Sequence, residues 1–232
     1  MQVLPLPQVR WLEVPDLFCS MHHTEGILLR LSYKAFASSA IDALIHGAES
    51  FLSPSRATMT SELFGVKAME LILEGFRRIA EEGPDARFAY GEEFLTAATY
   101  AGLAFLQAGC ATVHAMSFPL GGTYHVPHGE SNYLLFGKVF EKYDEIKPDG
   151  KISEFKKTIA RIIGGSEKDA IANLNALLEK ILPLQPLRAY GFKEDDIEKF
   201  ADSVLANQQR LVTNSYVPLD KELIMEIYRE LY

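Results

Sequence analysis

Cysteine is scarce in this chain of 232 residues: there are two, Cys19 and Cys110. Two thiols build no disulfide framework, and such usage fits a reducing compartment, so a cytoplasmic location is expected. Positive charge is also short. Lys and Arg number 23 against 31 Asp and Glu, a formal net charge of -8. Nucleic-acid partners need a basic face to neutralise phosphates, and that class is set aside. No apolar run approaches the roughly 20 residues of a membrane-spanning helix, so no membrane partner is expected. Met1–Pro7 lacks the basic stretch, apolar run and cleavage site of a signal peptide. Repeats, low-complexity tracts and long linkers are missing as well. What remains is ordinary globular composition, 48% hydrophobic and 23% charged, in a chain long enough for a large core.

Strand signals are confined to the beginning. Met1–Leu6 reads as a short strand, and Pro7–His23 carries neither helical nor strand period. From Tyr33 onward the pattern is helical. Helices are predicted over Phe36–Phe51, Thr60–Glu82, Gly91 to about Val113, Asn132–Tyr143, Ile152–Ile163, Lys168–Ile181, Lys193–Leu211 and Asp220–Leu231. Gly83-Pro84 closes the second, because glycine suits a helix end and proline cannot continue the ladder. The third is apolar on most sides and is expected to be the central core helix. The glycine- and proline-containing stretch Ser117–Gly129 reads as a turn region, and Ser166 with Asp169 resembles a capping box. The result is an all-α domain of about eight helices over residues 31–232, preceded by an unassigned segment, 1–30.

Six histidines are present, at 22, 23, 46, 114, 125 and 128. Asp42 and His46 are spaced i, i+4 in a predicted helix, so both can reach one cation. The flanking Ile41, Ala43, Leu44 and Ile45 imply burial, and buried Asp and His need partners. Taken alone, such a pair is more often a surface hydrogen bond than a metal site, and a buried ion pair between the two also accounts for it. His114 is placed at the end of the third helix and His128 at the start of the next. Each histidine singly suits a core or capping role; the four residues together suit a divalent metal better, with carboxylate and imidazole donors. His125 is read as pocket lining or as a group behind the ligands.

These residues resemble the iron-containing alcohol dehydrogenases. Asp42-Ala43-Leu44-Ile45-His46 with Glu49 is similar to that family's D-A-x-x-H-x-x-E helix. Gly109, His114-Ala115-Met116, Pro119-Leu120-Gly121-Gly122 and Pro127-His128-Gly129-Glu130-Ser131-Asn132 resemble its longer second signature. The likeness extends over about residues 31–232. Within the family, Val66–Leu73, Tyr124–Tyr133, Phe200–Val204, Gln208–Leu211 and Tyr228–Tyr232 look most like the NAD-dependent 4-hydroxybutyrate dehydrogenase subgroup.

The resemblance implies a two-domain architecture: an N-terminal Rossmann-like dinucleotide-binding domain and a C-terminal helical metal-binding domain. It implies reversible hydride transfer between 4-hydroxybutyrate and succinate semialdehyde, with NAD as cofactor. The ligands carried over are Asp42, His46, His114 and His128, holding Fe2+ or, alternatively, Zn2+. Many family members carry a further histidine four residues after the first signature histidine; here that position is Phe118, a candidate for the pocket wall. The substrate carboxylate needs a cation or a donor cluster, for which Arg188 and Arg210 are candidates, though each reads more readily as a surface ion pair.

The family's first domain has no counterpart, since no glycine-rich strand–turn–helix that could cradle a pyrophosphate occurs. The gap is read as a truncated gene, a frameshifted start or a natural fragment. Three functions follow: a metal-dependent NAD dehydrogenase acting on a small hydroxy acid or semialdehyde; a metal-binding domain inactive without a separate nucleotide-binding domain; and a hydrolase with a metal-activated water, supported by ligand chemistry alone. An exposed apolar cleft wall also suggests homo-oligomerisation.

Overall fold

A computed structural model describes residues 30–232 of the chain. The expected strand at Met1–Leu6, the unassigned Pro7–His23, and Cys19, His22 and His23 lie outside the described residues. Among the described residues there are ten α-helices, two short 3-10 turns and no strand, so the all-α expectation holds.

The first three helices pack against one another: α1 (Tyr33–Leu52), α2 (Met59–Glu82) and α3 (Gly91–Ala108). Each end has a local cause. Ser32 caps α1, its hydroxyl accepting from Ala35 N at 3.2 Å. Thr58 and Ser61 form a reciprocal capping box at the start of α2. Gly83 closes α2 with φ of 99°, and Pro84 follows it. Ile41, Leu44 and Ile45 of α1 are wholly buried against Met69, Ile72 and Leu73 of α2 and their neighbours in the core.

Helix α4 (Thr112–Tyr124) packs on α5 (His128–Ile146), and α5 returns across α1. Helices α6 (Lys151–Ile163) and α7 (Ala170–Ile181) cover α2. Helices α8 (Asp196–Asn207), the single-turn α9 (Gln209–Val212) and α10 (Lys221–Leu231) close the far side against α4 and α5.

The structure corrects several predicted boundaries. Gly91–Val113 is not one helix: it ends at Ala108, and α4 leaves at 106° to it. Gly109 makes the corner with φ of 77°, a conformation other residues adopt only with strain. Ser117–Gly129 is not an open turn either. Pro119, Gly121 and Gly122 lie inside α4, where burial of Val113, His114, Met116 and Leu120 overrides poor helix propensity. The predicted helix 193–211 is two helices, and Lys168 and Asp169 lie before α7. Ser166 does not cap that helix, whose N-cap is Asp169: its hydroxyl accepts from Asp169 N, but it donates to the Asp169 carboxylate itself, so the reciprocal bond to the Ser166 backbone N–H is not made.

Candidate metal centre

Three helices bring four ligand-type side chains together. Asp42 and His46 stand one turn apart on α1, with His46 Nε2 at 3.5 Å from Asp42 Oδ2. His114 lies in the first turn of α4, not at the end of the preceding helix; its Nε2 is 3.9 Å from Asp42 Oδ1. His128 opens α5, with Nε2 at 3.8 Å from Asp42 Oδ2. One donor atom from each of the four lies within 4.8 Å of all the others.

Gly129 permits the last of these placements. A Cβ there would collide with the Ser38 carbonyl oxygen and approach Asp42 Cβ to 3.2 Å. Without one, the start of α5 rests directly on α1 and sets His128 beside Asp42.

The donor set fits a divalent cation. Four ligands about 2.1 Å from a tetrahedral ion lie about 3.4 Å apart, close to the separations here. His114 Nε2 is buried and has no hydrogen-bond partner, which is costly for a polar atom unless something else occupies that direction. One carboxylate and three imidazoles suit zinc or ferrous iron.

Electrostatics agree with a site built for positive charge. Burial lowers the His46 pKa, but the hydrogen bond to Asp42 and the contact with Cys110 outweigh it and raise it to about 9. Burial likewise opposes protonation of His114; the Glu49 charge, with hydrogen bonds to Cys110 and Glu49, raises it to about 10. Asp42 is held below its ordinary value: burial works against ionisation, and hydrogen bonds from His46 and Asn132 overcome it. Burial lowers the His128 pKa, and neighbouring imidazoles outdo part of the Asp42 attraction.

A further layer of residues, to which the sequence reading assigned no role, surrounds the four. Glu49, one face-repeat beyond Asp42 and His46 on α1, is 1% exposed and lies 2.6 Å from His114 Nδ1. Asn132 donates to Asp42 Oδ1 at 2.7 Å, and its Nδ2 is 3.1 Å from His128 Nε2. Cys110 Sγ is 3.3 Å from His46 Nδ1. Glu49 and Asn132 carried advance signals: both stand among the signature residues, at i, i+3 after His46 and at i, i+4 after His128. Cys110 reaches the site through helix packing alone.

Phe118 stands on the open side, 45% exposed, with its ring centroid 6.2 Å from that of His128. His125 does not join the cluster. It is exposed, has φ of 54°, and closes α4 through its backbone N–H to Gly121 O. An open cavity of about 530 Å³ runs from Asp42 and His128 past Ser38 and Ser39 to Lys34. Neither Arg188 nor Arg210 lines it. Arg188 donates to the Tyr232 carbonyl, Arg210 is exposed on α9, and the basic group of the cavity is Lys34, paired with Glu130 at 2.9 Å.

Residues 36–232 match the C-terminal part of the Fe-containing alcohol dehydrogenase family. The chain is 48% identical over 202 residues to the 4-hydroxybutyrate dehydrogenase of Clostridium kluyveri, covering 87% of this chain and 54% of that protein. It is 30% identical over 201 residues to long-chain-alcohol dehydrogenase 1 of Geobacillus thermodenitrificans, covering 83% and 49%. Among solved structures, a 1,3-propanediol oxidoreductase superposes with a TM-score of 0.75 at 26% identity, covering 88% of this chain and 53% of that one. An archaeal halo-thermophilic Red Sea brine pool alcohol dehydrogenase shares the fold at a TM-score of 0.80 and 23% identity, over 90% of this chain and 53% of that one. The chain therefore spans about half the length of the relatives it matches.

Proposed function

Because the chain belongs to the Fe-containing alcohol dehydrogenase family and corresponds to its C-terminal part, we propose that it is the metal-holding half of a 4-hydroxybutyrate dehydrogenase-type oxidoreductase. The observation that carries this reading is the convergence of Asp42, His46, His114 and His128. These four would hold one divalent ion, iron or zinc. Bound there, the ion supplies Lewis acidity to the substrate oxygen during reversible hydride exchange with NAD.

The chain's own residues have defined parts in this reading. Asn132 orients the Asp42 carboxylate. Phe118 walls the open side and keeps water from the substrate carbon. Lys34, in place of the two arginines, offers the cavity's positive charge to the carboxylate of a small hydroxy acid or semialdehyde. His125 is left without a part. The protein would work in the cytoplasm.

NAD would be held by a nucleotide-binding domain, and among the described residues there is no strand on which one could be built. The second reading follows from that observation: a metal-binding domain inactive until it meets a separate nucleotide-binding domain. Metal analysis of the purified 232-residue chain, with an NADH fluorescence titration and a succinate semialdehyde assay, tests both. The expected result is about one divalent ion per chain without saturable NADH binding. A metal-free chain that takes up no added Zn2+ or Fe2+ would sink the metal reading. Saturable NADH binding with turnover would sink the inactive-domain reading.

A further inference from the structure

Glu49 is buried, carries a carboxylate and stands outside the four-residue cluster. Three hydrogen bonds converge on it. Oε1 accepts from Val113 N at 2.7 Å; Oε2 accepts from Ala111 N at 3.0 Å and meets His114 Nδ1 at 2.6 Å. Among the described residues its one ion-pair partner is His114; no lysine or arginine reaches it. An ionised carboxylate accepts and never donates, so each of the three neighbours must present a hydrogen. In its neutral, metal-binding form the His114 imidazole therefore carries its proton on Nδ1. Its Nε2 lone pair is left facing the cluster, where that atom is buried and unpartnered.

We infer that Glu49 is the positioning residue that makes His114 a metal ligand. It sets the tautomer, holds the ring plane and strengthens the donor nitrogen. The two amide bonds tie the first turn of α4 to α1 at the same point. Helix α1 thus presents Asp42 and His46 and also aims the third ligand, which comes from another helix. Capping of α4 alone would account for the amide bonds and not for the contact with Nδ1. The inference rests on the metal-binding reading above.

Glu49→Gln separates the two roles. The variant keeps the side-chain shape and one carbonyl acceptor. Its amide nitrogen, however, is turned towards groups that already donate. In either orientation one backbone N–H, that of Ala111 or of Val113, loses its acceptor, and the negative charge behind His114 Nδ1 is gone. Outer partners of metal-bound histidines typically contribute about 10–100-fold in affinity. Chelator competition on the full 232-residue chain is therefore expected to show Zn2+ binding weakened by about 10–100-fold in Glu49→Gln, and by less in Glu49→Asp, which keeps the charge. Nitrogen-15 NMR of histidine-labelled, zinc-loaded unaltered chain is expected to place the His114 proton on Nδ1. That measurement needs no variant to fold.

Equal Zn2+ affinity in a folded Glu49→Gln chain, or a His114 proton on Nε2 in the unaltered chain, would overturn the positioning role and leave the metal reading standing. Failure of the unaltered chain to bind Zn2+ would overturn both.

Discussion

Asn132 donates to Asp42 Oδ1 at 2.7 Å, joining α5 to α1 across ninety positions of sequence. The Asn132 side chain is fully buried, and its amide holds the one carboxylate of the cluster in place. Replacing it with alanine removes that donor and leaves the ligand rotamer free. Asn132→Ala is expected to weaken Zn2+ binding by about tenfold or more, within the usual range for partners behind a ligand. Isothermal titration or chelator competition would measure it; unchanged affinity would show that Asp42 needs no such support.

Asp42 is the shared neighbour of all three histidines, at 3.5, 3.9 and 3.8 Å. Asp42→Asn keeps the volume and removes the charge. The loss of affinity should exceed the about 10–100-fold assigned to outer partners. Metal content after gel filtration would read it directly.

Cys110 contacts His46 Nδ1 through sulfur at 3.3 Å. Cys110→Ala leaves that nitrogen without its partner, whereas Cys110→Ser keeps a hydrogen-bonding group at nearly the same place. The alanine variant is expected to bind Zn2+ more weakly than the serine variant. Equal affinities, or the reverse order, would mean that a hydrogen-bonding group at this position does not support His46.

Metal removal should cost stability, because an ion that binds only the folded chain stabilises it by mass action. At a free concentration of about 100 times Kd that amounts to about 2.7 kcal/mol. For a chain of this size it corresponds to a fall in Tm of about 5–10 °C on adding a chelator. Differential scanning calorimetry with and without added Zn2+ checks the figure. Gly129→Ala should lower both Tm and metal affinity, because its Cβ would push α5 off the Ser38 carbonyl; overpacking of this kind costs about 1–3 kcal/mol.

Met59, Leu63, Leu103 and Leu106 are exposed. They lie near the adjoining ends of α2 and α3, which Thr58 and Gln107 link by a hydrogen bond. Clustered exposed leucine and methionine favour self-association. Sedimentation velocity of the 232-residue chain is expected to show species larger than a monomer, reduced in Met59→Ser combined with Leu106→Ser. A clean monomer at all concentrations would remove this expectation.

The sequence by itself determined the helical class and much of the candidate site. Periodicity placed α1 and α2, since an amphipathic stripe and a glycine–proline stop act over one or two turns. The i, i+4 spacing put Asp42 and His46 on one face, and the signature residues around His114 and His128 named their companions. The tertiary structure decided the rest, because it depends on contacts between distant segments. Packing forces a corner at Gly109 and keeps Pro119 inside α4, where local propensity argues for a break. Close approach at Gly129 sets His128 beside Asp42. Glu49, Asn132 and Cys110 acquire their roles only when α1, α4 and α5 meet. No local pattern reveals that a buried carboxylate will find an imidazole 65 positions away, since that pairing follows from the crossing of the helices.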